Sequence, residues 1–121
     1  MTELAGLRIF LIEDEPIVAV LTEELIDAIG CVVAATVATL ADAHDAIANG
    51  GFDIVMLDVN LDGDDGLSLL PTLQQRNIAY IVTTGYGAAA TARIDPGAVT
   101  LTKPYSIAEL ETALRRVANR H

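Results

Sequence analysis

Strand-like apolar runs recur along this chain at Leu7–Ile12, Val32–Val37, Asp53–Leu57, Ala79–Val82 and Val99–Leu101. Segments with helical spacing separate them. Glu15–Ile29 carries Ile17, Leu21 and Leu25 on one face, joined by Val18, Ile26 and Ile29. Pro16 falls in its first turn, where a missing N–H costs little, and Gly30 supplies a left-handed stop. Ala41–Ala48 follows Thr39 and ends at Asn49-Gly50-Gly51. Pro71 would break a helix begun at Asp65, so the third helix is expected to be kinked or to start near Leu70. The fourth crossover, between Val82 and Val99, is short and rich in glycine, with a turn or two of helix predicted around Ala88–Ala92. The final helix, Ile107–Asn119, opens on an S-x-x-E capping box at Ser106 and Glu109, with Tyr105 and Leu110 placed for a hydrophobic staple. Five strand–helix alternations predict a doubly wound, five-stranded parallel α/β sheet, a flavodoxin-like three-layer sandwich with a shortened fourth helix.

The 121 residues suffice for one sizeable core and are expected to form a single domain with nothing left for an effector. The chain is 52% hydrophobic, rich in Ala, Val, Ile and Leu, and poor in aromatics, as suits a parallel sheet covered by small-residue helices. Arg8, Glu13 and Asp14 interrupt the most apolar N-terminal stretch, and Glu3 replaces the basic start of a signal peptide, so a cytoplasmic location is expected. Cys31 is the only cysteine, which excludes an internal disulfide or a cysteine-based metal site. A net charge of −10 argues against nucleic acid as a direct partner. Arg115, Arg116 and Arg120 are better placed to complement the end of the last helix.

Polar residues interrupt the strands at particular places. Glu13 and Asp14 end the first strand, Asp58 the third, Thr83 and Thr84 the fourth, and Thr102 and Lys103 the fifth. In an open parallel sheet those ends line the crevice where ligands bind. Three carboxylates crowded there resist joint ionisation unless a cation joins them. Lys103 offsets one charge, and the remaining excess suits a hard divalent ion with oxygen ligands, with Mg²⁺ the expected one. An Asp carboxylate in such a setting can attack phosphorus and form an acyl phosphate. Each residue also has a plainer role: Asp14 as a helix cap, Asp58 as a turn former, Thr84 as a strand-end hydroxyl, Lys103 as a surface charge. Five at the correct ends of the correct strands favour the chemistry. His44 reads as a solvated helix residue and His121 is terminal.

"DVNLDG" from Asp58 also fits the opening of an EF-hand calcium loop. That reading needs a bidentate Glu at the twelfth position, which is Leu69, and an entering helix where a buried strand is predicted.

The runs "LIEDEP", "MLDVNL", "TTG" and "LTKPY", with their spacing, resemble the receiver domain of two-component response regulators over essentially the whole chain. The resemblance implies that Asp58 accepts a phosphoryl group from a histidine kinase's phosphohistidine. It implies Mg²⁺ bound by Asp14 and Asp58 directly, by Glu13 through water and by the backbone carbonyl of Asn60. Thr84 would be the switch hydroxyl and Lys103 the phosphoryl group's ion-pair partner, with a cis peptide at Lys103–Pro104. The kinase or phosphotransfer helix would dock on the first helix and the loop after the fifth strand, near Ile17, Pro104 and Tyr105. Signalling would shift a two-state equilibrium and alter contacts with a downstream protein or relay phosphate. The chain departs from the common pattern at Asp62, where receivers carry Pro, and at Thr100, where they carry an aromatic switch residue. Those departures and the short fourth crossover leave a monomer as the expectation. "VTTGYG" partly resembles the FATGUY subgroup, named for Phe-Ala-Thr-Gly-x-Tyr, whose members are often single-domain or paired with HWE-type kinases. Thr84 and Gly85 match it; Val82, Thr83 and Gly87 do not.

Two other classes stand beside this reading. An Asp-nucleophile phosphatase of the haloacid dehalogenase type needs a general-acid Asp where this chain has Asn60. A receiver-like module that binds partners without phosphorylation has no use for the full acidic set with Thr84 and Lys103. A phosphoacceptor would be no enzyme in the ordinary sense, acting only on its own phosphorylation state.

Overall fold

The computed structural model describes residues 4–61, 63–85 and 97–120. The elements are β1 (Arg8–Ile12), α1 (Pro16–Ile29), β2 (Val32–Val37), α2 (Leu40–Asn49) and β3 (Ile54–Asp58). A two-residue hairpin, β4 (Asn60–Leu61) with β5 (Asp64–Asp65), follows, then a 3₁₀ turn (Gly66–Leu69) and α3 (Leu70–Gln75). β6 (Ala79–Thr84), β7 (Val99–Thr102) and the C-terminal helix α4 (Ile107–Arg120) complete it. The helix predicted at 88–92 and the departure at Asp62 lie outside the described residues.

β1, β2, β3, β6 and β7 form one parallel sheet in the order β2-β1-β3-β6-β7. Alternate strand residues feed two cores, as the two-residue period of a strand requires. Ile9, Leu11, Ile54, Met56 and Ile81 join α1 and α4 on one face. Phe10, Ile12, Val55, Leu57 and Val82 join α2 and α3 on the other. The expected three-layer, doubly wound fold is therefore present.

Local signals work largely as expected. Gly30 closes α1 at φ 100°, a left-handed value that glycine adopts without strain. The Thr39 side chain accepts the Asp42 N–H at the start of α2. The capping box is reciprocal: Ser106 N–H donates to Glu109 Oε1 at 2.9 Å, and Glu109 N–H to Ser106 Oγ at 3.1 Å. The chain turns as 3₁₀ before Pro71, and the α-helix begins at Leu70, so the proline falls in a first turn.

Two readings are corrected. Ile26 is buried and Leu25 and Ile29 pack against the core as expected, but the rest of the buried face of α1 is Ala19 and Thr22, whereas Ile17 is 77% and Leu21 55% exposed. Ala19, Thr22 and Ile26 follow the i, i+3, i+7 spacing of one helix face, and Ile17 and Leu21 lie off it. Asp14 does not cap α1: Glu15 holds the cap position, without a side-chain cap bond. Arg120 lies in the last turn of α4, as expected, and its guanidinium also donates to the Gly97 carbonyl. His44 is exposed, and His121 lies outside the described residues.

Candidate functional site

The chain leaves β1 toward β2 on one side of the sheet, and β3 enters on the other. This reversal opens a crevice at the carboxyl ends of β1 and β3, where open α/β sheets hold their ligands. Ile12 pairs with Leu57, so the next residues, Glu13 and Asp58, meet across the crevice. Asp58 is the last residue of β3, one position later than the apolar run suggests, and pairs with Thr83 on β6. Thr84 in turn pairs with Thr102. The backbone N–H of Lys103 donates to the Thr84 carbonyl at 2.8 Å, which delivers the lysine to the same rim.

Glu13, Asp14 and Asp58 each bring a carboxylate oxygen to within 4.8 Å of the others. Glu13 and Asp58 are buried, and Asp14 is half-buried. Lys103 Nζ lies 2.8 Å from Glu13 Oε1 and 2.8 Å from Asp58 Oδ2, one ammonium clamped between two carboxylates. Burial pushes the Glu13 carboxyl up to about 7; the Lys103 hydrogen bond pulls it back, and the Asp58 charge adds to the rise. Burial pulls the Lys103 ammonium down, but its bonds to Asp58 and Glu13 prevail and hold it above its ordinary value. Three carboxylates against one ammonium leave negative charge in excess. Such a cluster can hold a divalent cation.

A cavity of about 320 Å³ opens beside the cluster, bordered by Asp14, Thr39, Leu61 and Asp64. Asn60 is exposed; its N–H donates to Asp58 Oδ1 at 3.2 Å, and its side chain accepts the Gly63 N–H at 3.1 Å. Thr84 is buried beside the clamp at the end of β6. The Lys103–Pro104 peptide is cis. Pro104 is exposed and Tyr105 half-buried. The EF-hand alternative has no entering helix, since all five residues of Ile54–Asp58 are buried strand.

Two residues near the site went unnoticed in the sequence. A Cβ on Gly66 would lie 1.9 Å from the Asp58 carbonyl oxygen, so only glycine lets the 3₁₀ turn pass there. Its N–H donates to the Val59 carbonyl at 2.7 Å. Thr22, buried on α1, shares a 2.8 Å hydrogen bond with the Tyr105 hydroxyl. A glycine at that spacing from Asp58 and a hydroxyl in an apolar stripe were the available signals.

Carboxylates gathered at the switch point of an open parallel sheet, with a lysine just after the last strand, define a receiver-type domain. Residues 9–115 match the response regulator receiver domain, and the chain belongs to that family. It is 35% identical over 124 residues to the transcriptional regulatory protein TcrA of Mycobacterium tuberculosis, a match covering 96% of this chain and 47% of TcrA. The chain thus spans about half the length of that relative. The solution structure of SdrG from Sphingomonas melonis is similar over 96% of this chain and 98% of its own, with 27% identity and a TM-score of 0.79. The receiver domain of the PhyR response regulator from Erythrobacter litoralis matches at 26% identity and a TM-score of 0.79, covering 93% and 90% of the two chains.

Proposed function

We propose that this receiver domain is a phosphoacceptor in two-component or phosphorelay signalling, with Asp58 as the nucleophile. The Lys103 clamp carries the reading: a buried carboxylate at a strand end, 2.8 Å from an ammonium and beside two further carboxylates. An Asp58 oxygen forms the new bond to phosphorus as the phosphorus–nitrogen bond of a donor phosphohistidine breaks. Lys103 then pairs with a phosphoryl oxygen, and the Thr84 hydroxyl turns toward another. The cation that suits the cluster is Mg²⁺: Asp14, Asp58 and the Asn60 carbonyl would hold it directly, and Glu13 through water. Bound there, it would neutralise charge on the phosphoryl oxygens during in-line transfer. The domain turns over no separate substrate. A phosphatase reading has no general acid, because Asn60 is an amide whose oxygen is engaged by Gly63.

The donor is a histidine kinase or histidine phosphotransfer protein, and its helices meet the apolar rim at Ile17 and Pro104, with Tyr105 behind it. The exposure of Ile17, Val20 and Leu21 on α1 supports that contact. Thr100 is exposed on β7 and offers no aromatic switch, so output passes to a downstream protein without the usual aromatic coupling, from a monomer. The partial match of "VTTGYG" to the FATGUY motif, at Thr84 and Gly85, supports an HWE-type kinase as the donor. Among the described residues no helix is long and apolar enough to cross a membrane.

Incubation with a small phosphodonor and Mg²⁺ tests the class of chemistry. A single acid-stable, hydroxylamine-labile phosphoryl group supports the reading, and steady release of phosphate from small phosphoesters overturns it. Proton linkage tests the cation. Glu13 is partly protonated at pH 7 in the metal-free domain, so cation binding displaces its proton. Calorimetry in buffers of different ionisation enthalpy is expected to show net proton release on Mg²⁺ binding near pH 7, with affinity rising from pH 6 to 8. No proton release would contradict the assigned ligand set.

A further inference from the structure

We propose that Thr22 and Tyr105 form a positioning pair whose hydroxyl–hydroxyl hydrogen bond ties the Lys103 loop to α1 and thereby holds the ammonium between Glu13 and Asp58. The inference rests on the phosphoacceptor reading for one of its readouts and stands apart from it for the other.

Thr22 is only 2% exposed and lies in the buried Ala19–Thr22–Ile26 stripe of α1. A hydroxyl taken out of water there needs a partner, and Tyr105, 83 residues further on, supplies it at 2.8 Å. Tyr105 comes two residues after Lys103, in the irregular segment between β7 and α4. That segment is anchored before the tyrosine by the Lys103 N–H to the Thr84 carbonyl, and after it by the Ser106–Glu109 box. The ring itself packs against the core under α1 and α4.

Packing alone leaves the segment room to shift. A cavity of about 120 Å³ borders the bond, lined by Val18, Leu21, Thr22, Pro104, Tyr105 and the Lys103 stem. The far end of the phenol is therefore pinned by one directional contact. α1 starts at Pro16, three residues after Glu13, so the bond fixes the loop relative to the strand end that carries one of the two carboxylates. Lys103 meets both carboxylates at 2.8 Å, and an ångström of loop displacement would take one of them out of hydrogen-bond range. Neither residue touches the reacting atoms; they act through Lys103.

The test compares Thr22→Val, Tyr105→Phe, the double variant and Thr22→Ser, all of which keep the local volume closely. The first readout is the rate constant of Asp58 phosphorylation by acetyl phosphate with Mg²⁺. The second is the Lys103 side-chain ¹³Cε and ¹⁵Nζ signal at fixed pH in the unphosphorylated domain. Each single loss of the bond is expected to slow phosphorylation about fivefold, with the double variant no slower than either single. Thr22→Ser keeps the rate within about twofold. The Lys103 signal should move in the first three variants and stay in place in Thr22→Ser.

A Lys103 signal unmoved by Tyr105→Phe overturns the proposal, as does a double variant that multiplies the two single losses. If wild type takes no phosphoryl group while the signal still moves, the positioning pair stands and the phosphoacceptor reading falls. Should Thr22→Val fail to fold, Tyr105→Phe against Thr22→Ser decides the matter.

Discussion

Lys103→Met is expected to destabilise the metal-free domain by about 3 kcal/mol or more at pH 8 and to slow phosphorylation of Asp58 roughly 100-fold. Lys103 Nζ is bonded to Glu13 and Asp58 at 2.8 Å each, and both carboxylates are buried. Methionine keeps most of the volume but leaves two buried carboxyl groups facing one another without a cation, so ionising both becomes costlier. Removing one partner of a buried pair costs far more than the pair contributes over an apolar substitute. The loss depends on pH in a direction opposite to the usual carboxylate. Burial already raises Glu13 to about 7, above its ordinary value of 4.5, so the folded state binds a proton that the unfolded state releases. The corresponding stabilisation is complete below about pH 4.5 and disappears as pH rises through about 7. Without the Lys103 hydrogen bond, which lowers Glu13, that pKa rises further and the decline extends to higher pH. Urea unfolding at pH 6 and pH 8 should therefore show the smaller loss at pH 6, with Mg²⁺ recovering part of the loss at pH 8. Equal losses at both pH values, or none, would contradict the clamp.

Gly66→Ala is expected to cost about 3 kcal/mol and to lower Asp58 phosphorylation even where the variant remains folded. The added methyl carbon would sit 1.9 Å from the Asp58 carbonyl oxygen, 3.0 Å from its carbon and 3.1 Å from the Val59 carbonyl oxygen. All three are backbone atoms, so no rotamer change relieves the contact. The chain must shift at Asp58 or at the 3₁₀ turn, and the 2.7 Å bond from Gly66 N–H to Val59 breaks with it. Gly63→Ala is the useful contrast. Gly63 has a positive φ but open space around its Cβ position, so its substitution strains the hairpin locally without pressing on Asp58. Chemical denaturation of both variants, followed by phosphodonor labelling of the folded material, separates the two effects. A Gly66→Ala domain as stable and as readily phosphorylated as wild type would show that the turn is not held against the nucleophile.

The sheet was legible because each strand is a short apolar run and four of the five runs end on polar residues. Burial of β1, β3 and β6 along nearly their whole length leaves that pattern little alternative there. The ends of β1, β3, β6 and β7 could be placed together from chain order alone, and so the carboxylates, the hydroxyls and the lysine were found where the strands stop. Strand limits moved by a residue or two, because Asp58 and Thr84 keep their ladder bonds although their side chains are polar. The face of α1 was misread because Ile17 and Leu21 are larger and more apolar than Ala19 and Thr22. Helical periodicity does not reveal which of two neighbouring stripes lies on the sheet. The Thr22–Tyr105 bond joins residues 83 apart and leaves no local trace. Gly66 looks like any turn glycine until the carbonyl it passes is known. The two-residue hairpin after β3 is too short to carry a pattern of its own.

The most direct test of the account is the intact mass of wild type and of Asp58→Asn after exposure to acetyl phosphate, each with Mg²⁺ and with chelator. The account predicts one added phosphoryl group on wild type with Mg²⁺, none with chelator, and none on Asp58→Asn under either condition. An equal gain of mass on Asp58→Asn, or a wild type that gains none even from a phosphohistidine donor, would contradict Asp58 as the phosphoacceptor.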